Sequence, residues 1–406
     1  MSFQSESLTQ ANVAANAATV QEGSKASNLA GRARLFFADN LRVALTILVV
    51  VHHVAVVYAA NAAFYYVEPP DAKDLLAYLP LVVFELFNQA YFMGFFFLLS
   101  GYFTPNSFDR KGPGSFFKDR LLRLGIPLLV FIFVLNPISC LGLFWMPASL
   151  TGITVSLSWQ TFWQMYPQAL GVGPLWFVEM LLFFDLGYVL WRRLTKNQAV
   201  NRAREIKVPG YPVIGLFILL LAVASYLIRI VVPLGMAIPV LGFPTFAYFP
   251  EYLSFFIVGL IAVRNDWLRT IPGSMGKVGF GVALVATIVL FPLALSTKTA
   301  FLGHGSWSSA VYALWDSTFA VGMCLGLITL FRRFFNREGR FGRFLSQQAF
   351  TVYIIHIPVI VFLAIVLRDI HPQQLLKFAL VAVIAVPLSF GVAWLVRKIP
   401  FASRIL

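Results

Sequence analysis

Two adjacent histidines, His52 and His53, interrupt an otherwise apolar stretch, "LRVALTILVVVHHVAVVYAA". An imidazole near its ordinary pKa can take a proton from a hydroxyl at neutral pH. At membrane depth an ionisable side chain is costly, and by default it faces the bundle interior and serves a function. Arg42 lies eleven positions before His53. At about 100° and ~1.5 Å per residue the two project from nearly the same helical face, with the histidine ~16 Å deeper, whereas His52 points some 80° away from Arg42. Asp39, three residues before Arg42, is expected to cap the free amides of the helix start and to hold the guanidinium. An arginine fork at the rim grips phosphates. An imidazole deeper in, where water is scarce, waits where a thioester would arrive. The layout suits a long thin ligand with an anionic head and a reactive end, the shape of an acyl-CoA, and His53 is the expected general base for acyl transfer to a hydroxyl.

A base needs a partner that sets its tautomer. The carboxylates within apolar stretches are Glu85, Glu179, Asp185, Glu251 and Asp316, and Glu179 ranks first and Glu85 second, each against the plainer use of a hydrogen bond between helices. Arg120 and Arg123, in "RLLR" after the polar "DRKGPG" turn, are expected to share a helical face. Such a pair suits an anionic ligand, and a solvated basic face is the plainer alternative. Ser100 either offers a hydroxyl to the cavity or, with Gly101, lets two helices approach closely, which is the plainer use. His356, followed by Pro358, is expected beside a kink at the cavity. The five histidines never recur at i, i+4, and no HExxH occurs, so no metal centre is expected. Cys140 and Cys324 fall at different depths and predict no disulfide.

The elements that must hold these groups are apolar helices. The chain of 406 residues is 59% hydrophobic, 16% aromatic and 12% charged, which predicts an all-α, polytopic transmembrane bundle. Spans of roughly 20 residues fit near 41–60, 79–103, 121–144, 172–194, 210–232, 245–264, 278–297, 309–331, 349–368 and 376–396. A net charge of +14 does not point to nucleic acid, because position explains it. Only Lys73, Arg229, Lys298, Arg368 and Lys377 fall on the side opposite the N-terminus. That asymmetry predicts N-in, C-in topology by the positive-inside rule and a multi-pass cytoplasmic-membrane protein in contact with lipids. Residues 1–34 are polar, lack an apolar signal region, and are expected to be a disordered cytoplasmic tail before an uncleaved first span. A transmembrane domain over 35–400 and a short cytoplasmic end at 401–406 complete the organisation. In the outer connection, Trp145, Trp159, Trp163 and Tyr166 suit either stacking on sugars or an interfacial aromatic belt.

The order Asp39, Arg42, ten residues, His53 resembles the first-helix motif of the acyltransferase 3 family of membrane acyltransferases. "FFFLLSGYF" is similar to its Ser-Gly-aromatic signature, with Tyr102 in place of the commoner Phe. "RLLR" matches its R-x-x-R motif, "PLWFVEMLLFF" resembles its Trp-rich, Glu-containing span, and "FTVYIIHIPVI" its Tyr-x-x-His-x-Pro segment. "SGYF" followed by "RLLRLGIP" looks most like the glucan biosynthesis protein C branch, whose members modify periplasmic glucans. The resemblance implies an O-acyltransferase using acetyl-CoA or succinyl-CoA from the cytosol and a carbohydrate or glycolipid acceptor outside, with no metal. Donor binding falls to Asp39, Arg42, Arg120 and Arg123, catalysis to His53 with Glu179 and Glu85, and substrate contacts to Ser100, Trp176 and His356. The competing reading is a transporter or flippase of a lipid-linked glycan or small anion that uses the same groups for binding.

Overall fold

The computed structural model describes residues 34–60, 64–68, 75–146, 150, 158–195, 206–236 and 246–406. The expected tail, residues 1–34, lies outside these apart from Arg34, as do Lys73 and parts of the 145–171 and 195–209 connections.

Ten helical stretches are long and apolar enough to cross a bilayer, one for each span read from the sequence, and the described residues contain no strand. They are α1 (Phe36–Ala59), α2 and α3 (Leu75–Gln89 and Phe92–Lys111, together one span), α4 (Pro113–Trp145), α5 (Trp176–Leu194), α6 (Tyr211–Val231), α7 (Phe249–Arg264), α8 (Gly273–Leu295), α9 (Trp307–Phe334), α10 (Arg340–Val366) and α11 (Gln374–Val396). The chain is an all-α polytopic bundle. Of the apolar window of α1, 61% is buried inside the protein against 22% for α6, so α1 is central and α6 faces lipid.

Helices outrun the apolar windows because regular structure continues through charged residues at the basic end. Thus α10 begins at Arg340, not near 349, and His356 sits more than four turns into it. The helix also continues through Pro358. The second span is divided by a tight turn at Ala90 and Tyr91, which keeps hydrogen bonds from Ala90 N–H to the Leu86 carbonyl (3.1 Å) and from Tyr91 N–H to the Asn88 carbonyl (3.2 Å).

Prolines reshape α4. Its turns widen to π geometry at Leu121–Gly125 and Phe131–Leu135, just ahead of Pro127 and Pro137. A proline lacks the N–H and its ring crowds the carbonyl four residues back. Opening the preceding turn relieves that crowding and inserts a residue. The carbonyl four back from Pro127 belongs to Arg123, so the basic motif lies in the distorted turn.

Small residues and ion pairs fix the frame. A Cβ on Gly101 would strike the Phe256 carbonyl, and one on Gly259 would strike the backbone of α3, so the two glycines let α3 and α7 touch main chain to main chain. At the basic end Arg34 Nη1 (2.6 Å) and Arg343 Nη2 (2.6 Å) both reach Glu338, tying the start of α1 to the α9–α10 turn. At the opposite end Lys377 pairs with Glu68, and Gln374 Nε2 donates to the carbonyls of Tyr58 (3.0 Å) and Glu68 (2.6 Å). These contacts strap residues 64–68 across the end of α1.

Candidate active site

α1 and α10 pack together, and His53 and His356 meet between them. His356 Nε2 lies 3.2 Å from His53 Nδ1, with ring centroids 4.8 Å apart. Backbone carbonyls decide the tautomers. His53 Nδ1 is 2.9 Å from the Val49 carbonyl, and His356 Nδ1 is 2.8 Å from the Tyr353 carbonyl. A carbonyl only accepts, so the hydrogen-bond pattern assigns a proton to both Nδ1 atoms. The Nδ1–H of His53 is then shared between the Val49 oxygen and the lone pair on His356 Nε2. His53 Nε2 keeps its own lone pair, with no hydrogen-bond partner among the described residues. His356 is 0% exposed and His52 8%, whereas His53 is only half-buried. Of the three imidazoles, His53 is the most exposed.

The far side of this site is lined by residues that sequence reasoning missed. The Phe64 ring stacks on His53 at 5.8 Å. Tyr65 donates its hydroxyl to Asn136 on α4, and Asn136 Nδ2 donates to the Ala169 carbonyl at 2.7 Å. Tyr353, one turn before His356, donates its hydroxyl to the Pro174 carbonyl and so ties α10 to the start of α5. A lone Asn in an apolar span was a usable signal for Asn136. Nothing local marks Phe64.

Between Arg42 and His53, α3 runs antiparallel beside α1. The Arg42 guanidinium lies 4.3 Å from the Phe103 ring centroid, and the His52 ring 5.1 Å from that of Phe92. The eleven-residue interval on α1 thus faces one of like length on α3. Phe96, Ser100 and Phe103 on α3, and Ile47, Leu48 and Val51 on α1, are half-buried along it. The Ser100 hydroxyl has no hydrogen-bond partner among the described residues, while its carbonyl accepts from Thr104 at 2.9 Å. Gly101 beside it makes the close helix contact, so both uses weighed for this pair are available, one per residue.

The basic end corrects two expectations. Asp39 does not cap α1: the N-cap is Leu35, with no side-chain cap bond, because the helix starts at Phe36 and leaves Asp39 within it. Its carboxylate pairs with Arg34 Nε at 2.7 Å and more loosely with Arg42 at 3.4 Å. Arg120 and Arg123 do not share a face, because a π turn of roughly 4.4 residues rotates the second away from the first. Arg120 points inward, with Nε 3.0 Å from the fully buried Asp185, and donates from Nη2 to Thr104 at 3.3 Å. Arg123 stays 60% exposed against Asp119, which also holds Lys111. Arg42 is 40% exposed. Arg42 and Arg123 therefore keep more accessible charge than Arg120.

Glu179 stands on α5 beyond the Tyr353–Pro174 tie, and its Oε2 is buried with no hydrogen-bond partner among the described residues. Glu85 is buried on the second span. The hydrogen bonds of His53 go to Val49 and His356 rather than to either carboxylate. Trp176 is 6% exposed and packs on Tyr252 at 5.2 Å, inside an aromatic core that continues through Phe97. Trp159 and Trp163, by contrast, project from the short helix Trp159–Met165 at 74% and 50% exposure, in ring contact with Phe162 and Tyr166. Among the described residues no three His, Cys, Asp or Glu side chains gather as metal ligands, and both cysteines are free.

Comparison with known proteins gives the chain's family. Residues 35–398 match the acyltransferase 3 family, described as an acyltransferase domain. The chain is similar to proteins named "Glucans biosynthesis protein C". It is 24% identical to that of Escherichia coli O157:H7 and to that of Shigella dysenteriae serotype 1, and 23% identical to that of Escherichia coli strain K12. In each case the match covers 81% of this chain and 83% of the relative. No solved structure matches the chain. A family match across nearly all of a ten-span bundle places the chain in the acyltransferase 3 family as a membrane acyltransferase.

Proposed function

We propose that this protein is an O-acyltransferase that moves an acetyl or succinyl group from cytosolic acyl-CoA to a hydroxyl of an extracytoplasmic glycan or glycolipid. The basic end faces the cytosol in this reading, as the positive-inside rule favours, in the cell's cytoplasmic membrane. Coenzyme A enters there, its phosphates engaging Arg42 and Arg123, and its acyl-pantetheine arm extends between α1 and α3 past Ser100 toward His53. The acceptor arrives from the opposite end, where the exposed rings of Trp159 and Trp163 suit stacking on sugar faces.

The observation that carries the reading is the unspent Nε2 lone pair of His53. The acceptor hydroxyl donates to it, its oxygen attacks the thioester carbonyl, and the proton moves to Nε2. The C–S bond then breaks, and that proton leaves with the CoA thiol. The developing imidazolium is stabilised at Nδ1–H by the Val49 carbonyl and by neutral His356. The glucan-related names of the relatives support a carbohydrate acceptor for this chain. The test uses purified protein in nanodiscs, acetyl-CoA or succinyl-CoA, and a glucan. Free CoA thiol should appear together with the matching mass gain on the glucan. Movement of unmodified glucan without thiol release would contradict the reading and favour the transport alternative.

A further inference from the structure

Between α5 and α7, on the lipid-facing side and lined by none of the residues around the histidine pair, runs an apolar groove of about 580 Å³. Phe184, Gly187 and Trp191 form one wall, Leu253 and Ile257 the other, and Arg264 stands at its basic end. From Leu253 to Arg264 it follows eleven residues of helix, ~16 Å in length, close to one leaflet of a hydrocarbon core about 30 Å thick.

Three features separate this groove from ordinary lipid-facing surface. First, Arg264 is exposed and has no ion pair or hydrogen bond from its side chain among the described residues. Arg192 on the neighbouring helix is instead buried, donating to Tyr188 at 2.7 Å and Asp109 at 2.9 Å. Second, a Cβ at Gly187 would meet nothing within 4 Å. Unlike Gly101 and Gly259, this glycine makes no close helix contact and leaves its side of the groove open. Third, the basic end is built: Ile206 N–H donates to Asn265 Oδ1 at 2.8 Å, and Trp267 Nε1 donates to the Ile206 carbonyl at 2.8 Å. The segment entering α6 is thereby held beside Arg264. Trp191, 46% exposed at the same end, has the position of an interfacial anchor.

The geometry points to a bound anionic glycerophospholipid, with one acyl chain lying between α5 and α7 and the headgroup phosphate on Arg264. An unpaired guanidinium at headgroup level is the charge complement, and its planar fork fits a phosphate. The leaflet is the one on the basic side, and the acyltransfer reaction does not enter the inference.

The test reconstitutes the full protein in phosphatidylcholine nanodiscs that carry a minor share of brominated phosphatidylglycerol or, separately, brominated phosphatidylcholine. The Trp191 fluorescence is isolated by difference with W191F. Brominated phosphatidylglycerol is expected to quench Trp191 several-fold more than brominated phosphatidylcholine. In R264Q that ratio is expected to fall to about one. In G187L, which fills the groove without striking backbone, the preference is expected to disappear while Arg264 remains. Equal quenching by the two lipids in the unmutated protein overturns the inference, and so does a preference that survives R264Q.

Discussion

The histidine pair and the Arg229–Asp316 pair are both polar contacts inside an apolar bundle, and they are built in opposite ways. Arg229 Nη2 donates to Asp316 Oδ2 at 2.5 Å, with the two side chains 0% and 2% exposed. The guanidinium carbon also lies 4.8 Å from the Tyr248 ring centroid and 5.6 Å from that of Tyr312. Charge is matched by charge and walled in by rings, and no substrate reaches it. At the histidines the opposite holds: each Nδ1–H is satisfied, yet one nitrogen of a half-buried ring is left open. Burial of an ionisable group alone therefore does not mark a site. What marks it is an atom of that group left accessible and unspent.

The comparison can be broken most severely at His53. His53→Ala is expected to lower kcat/KM for acyl transfer by about 10²- to 10⁴-fold, the usual worth of a general base, with unchanged circular dichroism and melting. Arg229→Met should do the reverse. It leaves Asp316 buried and unpaired, at a cost of about 3–5 kcal/mol of stability, while activity per folded molecule persists. The double variant Arg229→Met/Asp316→Leu should regain most of that loss, because an apolar pair replaces a buried ionic one at little net cost. Denaturation in detergent, set beside specific activity, separates the two outcomes.

His356→Ala sharpens the contrast, since the Val49 carbonyl alone still holds the His53 tautomer. A fall of roughly tenfold in kcat with little change in KM is expected, and His356→Gln, whose side-chain oxygen can accept the Nδ1–H, should recover part of it. The smallest effect belongs to Glu338, outside the spans. The hydrogen bond from Arg343, with the charge of Arg34 beside it, holds its carboxyl below the usual carboxylate range. A depressed carboxylate stabilises the folded state above its unfolded pKa, and that contribution is lost as pH falls through the lower folded value. Glu338→Gln should therefore flatten the acid limb of the melting temperature below pH ~4 and leave neutral pH almost unchanged.

The spans were legible because twenty apolar residues have few other uses in a helical chain, and all ten spans fall on the windows read from hydropathy. His53 was legible for the same reason, as a costly side chain at depth. Its partnership with His356 was not, because the two are 303 residues apart and no periodicity spans that interval. The Arg120–Arg123 face failed for a local cause: regular 3.6-residue arithmetic does not hold in a turn that Pro127 has opened. Asp39 failed as a cap because the helix begins three residues earlier, at Phe36, where neither charge nor capping residue announces a start. Arg229 and Asp316, counted from sequence as an outer charge and an in-span carboxylate, became a closed pair only in three dimensions.

The central claim is that the open nitrogen of His53 takes the acceptor's proton. It is tested most directly by single-turnover acyl transfer with His53→Asn, whose side-chain amide can still donate toward Val49 and His356 but offers nothing at the Nε2 position. A folded variant that binds acyl-CoA as before yet transfers at least a hundredfold more slowly is the expected result. Transfer at the unmutated rate would contradict the account.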